Sequence, residues 1–228
     1  MKEYAIIVAG GSGSRMKSDI PKQYLEIAGK PILMHTIEAF YAYNTNIEII
    51  LVLPASEIET WKSLCKKHEF NLQHTIATGG NTRFHSVKNG LQLVQTEGLV
   101  AIHDGVRPLI HPDIIGASYR LAAIHGSAVA AVRLKESIRV TDKDTTRAVD
   151  RASYRIIQTP QTFKASLIKN AYRHDDGSGM TDDASLAEMY GVKISLFEGS
   201  YENIKITTPE DLVLAEAILL QRKKTEKP

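Results

Sequence analysis

Two cations behind a glycine-rich stretch are the first residues of this chain that could do chemistry. Residues 9–16 read AGGSGSRM and residues 20–23 read IPKQ, so Arg15 and Lys22 follow Ala9, Gly10, Gly11 and Gly13. Glycines after a strand let backbone N–H groups close around an anion without side-chain obstruction. Two cations converging on a triphosphate would neutralise the charge that grows as a phosphorus centre becomes five-coordinate. The stretch is not a Walker A sequence, and it lacks the third glycine of the dinucleotide fingerprint. Taken alone, it is also what a strand, a permissive turn and surface charge look like.

Further polar groups stand where later apolar runs end. VAIHDGVRP (100–108) sets Asp104 just past such a run and three residues before Arg107. Asp104 could hold a divalent metal on phosphates, or a substrate hydroxyl, while Arg107 takes phosphate or a carboxylate. A structural Asp–Arg pair closing the turn is the other reading, and His103 reads as structural. GGNTRFHSV (79–87) offers Gly80, Asn81 and Ser86 to a base or ribose, although helix capping alone accounts for Asn81 and Thr82. Arg151 ends AVDR. MTDDAS (180–185) resembles a helix N-cap, which explains one of its acidic residues, and NIKITTPEDL (203–212) puts Lys205 on a short predicted strand before the last helix.

The elements that must position these groups alternate along the chain. Strands are predicted at 4–9, 47–53, 73–77, 99–103, 127–132 and 193–197. They are continuous apolar runs rather than strict alternations, as for parallel strands buried on both faces. One helix is predicted over 31–43, with Leu33, Ile37, Phe40 and Tyr41 on one face. Another spans 112–125, with Pro112 in its first turn and Gly126 after its end. The remaining helices are predicted at about 55–69, 82–95, 164–174, 182–190 and 209–221. This order implies an α/β fold, a Rossmann-like, mostly parallel open sheet with helices on both faces. In such sheets ligands bind where the strands' carboxyl ends meet their loops.

Residues 133–155 break the rhythm. They alternate β-branched with charged residues around a polar turn, TDKDT, and are predicted to form a protruding two-stranded β-arm with little core of its own. An isolated hairpin is marginally stable in water, so this one should pack on something, a partner subunit being one candidate. No repeat or Pro-, Gly- or Ser-rich linker divides the chain, so 1–228 reads as a single domain carrying that arm.

Composition narrows the function classes. The 228 residues are 43% hydrophobic and 24% charged, inside the globular range. With a net charge of +2 and no long basic block, no nucleic-acid partner is expected. RKKTEK at 222–227 reads as the charged end of a helix. Cys65 is the sole cysteine, which excludes an intrachain disulfide or a cysteine zinc cluster and fits a reducing cytoplasm. It reads as a small buried hydrophobe rather than a nucleophile. No signal-peptide pattern precedes the first strand, and the apolar runs are too short to cross a bilayer. A cytoplasmic protein without a membrane partner is expected.

Together AGGSGSRM…PKQY, GGNTRFHSV, HDGVRP, VDR, TPQTF, TDDAS and NIKITTPEDLVLAE occur in the order and rough spacing of a known family. The chain resembles the 2-C-methyl-D-erythritol 4-phosphate cytidylyltransferases, within the glycosyltransferase-A-like nucleotidyltransferases, from about residue 4 to 217. The resemblance implies that CTP and the polyol phosphate give the CDP-alcohol and pyrophosphate, with Mg²⁺ or another divalent cation. It implies that Arg15, Lys22 and Lys205 are catalytic, and that Ala9, Gly10, Gly11, Gly13, Gly80, Asn81 and Ser86 hold the nucleotide. It places Asp104, Arg107, Thr159 and Thr181 at the polyol phosphate, with Asp104 also the candidate metal contact, chiefly through the CTP phosphates. Ser137 and Arg151 would reach from the arm into the partner's site of a homodimer. The sequence departs from the family pattern at Asn81, where an acidic residue is usual, at Gly105 for alanine, at Ser137 for threonine, and in having Ser14 before Arg15. The sister enzyme making CDP-ribitol from ribitol 5-phosphate shares nearly every phosphate-handling motif, but Val-Asp-Arg at 149–151, rather than Val-Arg-Asp, points to the erythritol branch. A non-catalytic nucleotide-binding protein on the same fold is the alternative of a different class; it would not need both Arg15 and Lys22 beside a polyol site.

Overall fold

The apolar residues of the first strand, β1 (Lys2–Val8), divide between two cores: Tyr4 and Ile6 face one, Ala5 and Ile7 the other. That period of two repeats along the central strands and makes the molecule a layered one. The computed structural model describes residues 1–10, 16, 20–95, 97–175 and 179–225. After β1 come a 3-10 turn at Lys22–Tyr24, a small hairpin of β2 (Glu26–Ile27) and β3 (Lys30–Pro31), and α1 (Ile32–Tyr43). The chain continues through β4 (Glu48–Leu53), α2 (Ile58–Lys67), β5 (Thr75–Thr78), α3 (Arg83–Gln92), β6 (Gly98–Asp104), α4 (Pro112–His125) and β7 (Ser127–Arg133). A separate hairpin, β8 (Arg139–Asp142) and β9 (Thr145–Ala148), precedes β10 (Arg155–Lys164), α5 (Ala165–His174), α6 (Asp183–Met189), β11 (Leu196–Glu198) and α7 (Pro209–Thr225).

Seven strands form one sheet in the order β11-β7-β10-β6-β1-β4-β5. Its pairs are parallel except where β10 runs antiparallel between β6 and β7. One core packs Phe84, Val87, Ile168 and Leu186, from α3, α5 and α6, against the sheet; the other packs Ile37, Phe40, Trp61 and Tyr119, from α1, α2 and α4. The mostly parallel open sheet with helices on both faces matches the sequence reading. So does α4, with Pro112 at its start and Gly126 closing it at φ +89°. Cys65 is half-buried, and burial pushes its thiol up to about 11, which disfavours thiolate chemistry.

Three expectations need correction. No strand was predicted at 155–164, yet β10 sits inside the sheet. Pro160 and the polar run Gln158–Thr162 hid it, since proline in a run argues against a central strand. The register between β10 and β7 shifts between Ile157 and Gln161, around that proline. The buried polar groups are satisfied: Gln161 Nε2 donates to Asp182 at 2.9 Å, and Thr162 Oγ1 to Ser118 Oγ at 2.9 Å. The strand predicted at 193–197 shrinks to Leu196–Glu198 at the sheet edge. Lys205 lies outside any strand, because its segment is tied to the body by single bonds such as Ile206 N–H to Val106 O at 2.9 Å rather than by a ladder.

Candidate active site

The chain runs β1, β4, β5 outward and then returns to lay β6 on the other side of β1. A crevice therefore opens at the carboxyl ends of β1 and β6. Backbone bonds draw its walls together: Gly105 N–H to Val8 O at 2.8 Å, Ala9 N–H to Val52 O at 3.0 Å, and Gly79 N–H to Leu53 O at 2.7 Å. Thr82 caps α3 by accepting from His85 N–H at 3.2 Å, which leaves Asn81 exposed on the lip. Ser86 Oγ accepts from Gly80 N–H at 3.1 Å and donates to Thr82 O at 3.0 Å. A Cβ on Gly80 would stand 2.4 Å from His85 Cβ, so only glycine lets the loop close on the helix.

Two clefts lie here. The first, about 380 Å³, is lined by Ala9, Gly10, Lys22, Gly80, Asn81 and Ser86. The second, about 370 Å³, is lined by Arg107, Thr159, Gln161, Thr181 and Asp182. Arg83, Asp104 and Lys205 line both, so the clefts meet at these three residues. Asp104 is 7% exposed. Its Oδ2 lies 3.1 Å from Arg107 Nε and 3.1 Å from Lys205 Nζ, and its Oδ1 3.7 Å from Arg83 Nε. Burial alone would raise the Asp104 carboxyl, but Arg83, Lys205 and Arg107 outweigh it and hold the group well below the usual carboxylate range. Among the described residues the first cleft thus shows three cations, Lys22, Arg83 and Lys205, against one carboxylate. That excess suits a polyphosphate.

Among the described residues the donor set does not suit a metal held by side chains alone. Among the described residues no group of three His, Cys, Asp or Glu side chains comes together. Both oxygens of Asp104 already face cations, which would repel a divalent ion.

Comparison with known proteins accords with this geometry. The family model described as 2-C-methyl-D-erythritol 4-phosphate cytidylyltransferase matches residues 4–221. The chain belongs to this family. A protein of Bacteroides thetaiotaomicron with that name is 50% identical over 219 residues, 96% of this chain and 100% of that one. One from Bacteroides fragilis is 47% identical over 215 residues, covering 94% and 98%. The 4-diphosphocytidyl-2C-methyl-D-erythritol synthase of Anaerococcus prevotii superposes with a TM-score of 0.83 at 31% identity over 96% of each chain. The cytidylyltransferase of Thermus thermophilus does so at 0.79 and 29%, over 96% and 98%.

For this cytidylyltransferase family member, most residues singled out in the sequence fall on the two clefts. Ala9, Gly10, Lys22, Gly80, Asn81 and Ser86 line the first, Arg107, Thr159 and Thr181 the second, and Asp104 and Lys205 both. Gly11, Gly13 and Arg15 lie outside the described residues. Ser137 and Arg151 line neither cleft; both are exposed on the arm, where Arg151 donates to the Lys135 carbonyl. Thr159 is buried, and its hydroxyl is bonded inside the protein to His103 Nδ1 and Asp104 N–H.

Sequence reasoning passed over Arg83, Asp183 and Gln23. Arg83 grips Asp183 in a fork, at 2.9 and 2.6 Å, so the second acid of TDDAS is a buried clamp, while Asp182 caps α6. The available signal was an arginine opening a helix and an acid left over after capping. Gln23 is 2% exposed on the first cleft, and no donor among the described residues reaches its Oε1. Nothing in a lone glutamine signals that.

Proposed function

We infer that this chain joins CTP to 2-C-methyl-D-erythritol 4-phosphate, giving 4-diphosphocytidyl-2-C-methyl-D-erythritol and pyrophosphate. The observation that carries the reading is the meeting of two clefts at Arg83, Asp104 and Lys205 in a member of the cytidylyltransferase family. A phosphate oxygen of the polyol phosphate forms a bond to the α-phosphorus of CTP. The bond from that phosphorus to the bridging oxygen breaks, and pyrophosphate leaves with the electron pair. The attacking oxygen is already anionic, so alignment and charge neutralisation dominate and no strong base is required.

In this reading Arg15 and Lys22 stabilise the five-coordinate phosphorus, and Lys205 orients the attacking phosphate. Ala9, Gly10, Gly11 and Gly13 wrap the CTP phosphates through backbone N–H groups, and Gly80, Asn81 and Ser86 hold the cytidine. Asp104, Arg107 and Thr181 take the polyol phosphate. Ser137 and Arg151 serve the site of a second copy in a homodimer. Mg²⁺ enters on the CTP phosphates, as part of the substrate, in keeping with the cationic surroundings of Asp104. The single cysteine supports a reducing, cytoplasmic setting. Among the described residues no helix is long and apolar enough to cross a membrane.

Pyrophosphate release tests the proposal, with purified protein, CTP and Mg²⁺ and either 2-C-methyl-D-erythritol 4-phosphate or ribitol 5-phosphate. Turnover with the erythritol compound is expected. Turnover with ribitol 5-phosphate alone, or with neither, overturns it.

A further inference from the structure

Beneath the second cleft five buried residues close a ring of hydrogen bonds whose donors and acceptors follow uniquely. His103 Nε2 lies 3.2 Å from the Arg107 carbonyl, which can only accept, so that nitrogen carries the proton. Nδ1 of the neutral ring is then an acceptor, and the Thr159 hydroxyl, 3.1 Å away, donates to it. Thr159 Oγ1 in turn accepts the Asp104 N–H at 3.1 Å. Arg107 Nε reaches Asp104 Oδ2 at 3.1 Å, and Arg107 NH1 donates to the Asn203 carbonyl at 2.8 Å. Asn203 Nδ2 closes the circuit on the Thr159 carbonyl at 2.8 Å. His103 and Asn203 are 0% exposed and Thr159 4%. The Phe40 ring meets the imidazole edge-on, with centroids 5.1 Å apart, and seals it from water.

We propose that His103, Thr159 and Asn203 are positioning residues that fix Asp104, Arg107 and the segment bearing Lys205 in the geometry that receives the polyol phosphate. The ring joins β6, β10 and the loop before Lys205, three segments far apart in sequence. Thr159 has only one hydroxyl proton, and it goes to His103; the residue supports the site rather than donating to substrate. Burial lowers His103 to about 4, which keeps the ring neutral and its Nδ1 open as an acceptor at ordinary pH. The proposal rests on the function given above for the second cleft.

Two variants and a spectrum test it. Thr159→Val keeps the shape but loses both hydroxyl bonds. It should raise the KM for 2-C-methyl-D-erythritol 4-phosphate about tenfold or more, with the KM for CTP within about twofold. Thr159→Ser should recover most of that loss. In the wild type, ¹⁵N shifts of His103 should show a protonated Nε2 and an accepting Nδ1, the Nδ1 signal moving in Thr159→Val. Unchanged polyol-phosphate KM in Thr159→Val overturns the proposal, as does equal weakening of both substrates that follows a lower melting temperature. The opposite tautomer overturns it without any assay. A wild type with the expected tautomer but no pyrophosphate release supports the ring and sinks the functional reading instead.

Discussion

Lys22 stands on a turn held from below. Tyr24 N–H bonds to Pro21 O at 2.8 Å, the Tyr24 ring stacks on Trp61 at 6.2 Å, and its hydroxyl donates to the Glu57 carbonyl. A cation on so fixed a base can be aimed at a phosphate before the phosphate arrives, which is where electrostatic stabilisation gains most. Lys22→Ala should therefore lower turnover about a thousandfold or more, roughly 4 kcal/mol of barrier, with little change in folding. A mutant releasing pyrophosphate at nearly the wild-type rate contradicts that role. At this scale the sequence was legible where a charge stood at a strand's end, as at Asp104, or behind a glycine-rich stretch, as at Lys22. It was illegible where a side chain works by what it touches. Thr159 stands out only through the family resemblance and His103 only as structural; the bonds of Thr159 to His103 and Asn203 exist only once the fold brings 103, 159 and 203 together.

A charged clamp, Arg83 with Asp183, joins α3 to α6. Asp183 is fully buried, accepts the Arg83 fork, and takes a third bond from Tyr172 OH at 2.5 Å. Asp183→Ala strands the guanidinium beside a remaining carboxylate, Asp104, 3.7 Å away. Breaking such a pair should cost about 3 kcal/mol in urea unfolding, whereas Tyr172→Phe should cost about 1 kcal/mol. Equal stability of Asp183→Ala and wild type would show that the clamp contributes nothing net. The same strand ends set the acid response. His103 falls from an unfolded value near 6.5 to about 4, so between these pH values the unfolded chain binds more protons and stability drops as pH drops. From pH 7.5 to 5 this site alone should remove about 2 kcal/mol. His35 and His74, also lowered by burial, act in the same direction. Asp104, depressed instead, loses its contribution only below its unfolded value near 3.9. His103→Gln should flatten the upper window relative to wild type; an unchanged slope refutes the assignment. The helices and apolar strands could be read from periodicity, because burial on both faces writes itself in hydrophobic runs. Strand β10 could not, because its buried polar groups are satisfied by partners from other elements.

At the scale of the whole molecule, the β8–β9 hairpin is exposed at every strand residue and forms a sheet apart from the seven-stranded one. A hairpin without a core is marginal in water. Val140 in the hairpin and Tyr154 and Ile156 after it leave apolar surface open, the kind of patch a second copy covers in a two-fold pair. Arg151 stands at the foot of this arm and lines neither cleft of its own chain, so a part in the reaction would require a neighbouring subunit. Co-expression of Lys22→Ala chains with Arg151→Ala chains decides it. If Arg151 acts across the pair, a mixed dimer keeps one intact site, built from the Lys22 of one chain and the Arg151 of the other. Statistical mixing then restores about a quarter of wild-type activity, although each variant alone is nearly inactive. If Arg151 acts within its own chain, every site in the mixture lacks one residue and nothing is restored. Light scattering of the same samples supplies the control: a monomer at assay concentration removes the arm from catalysis altogether.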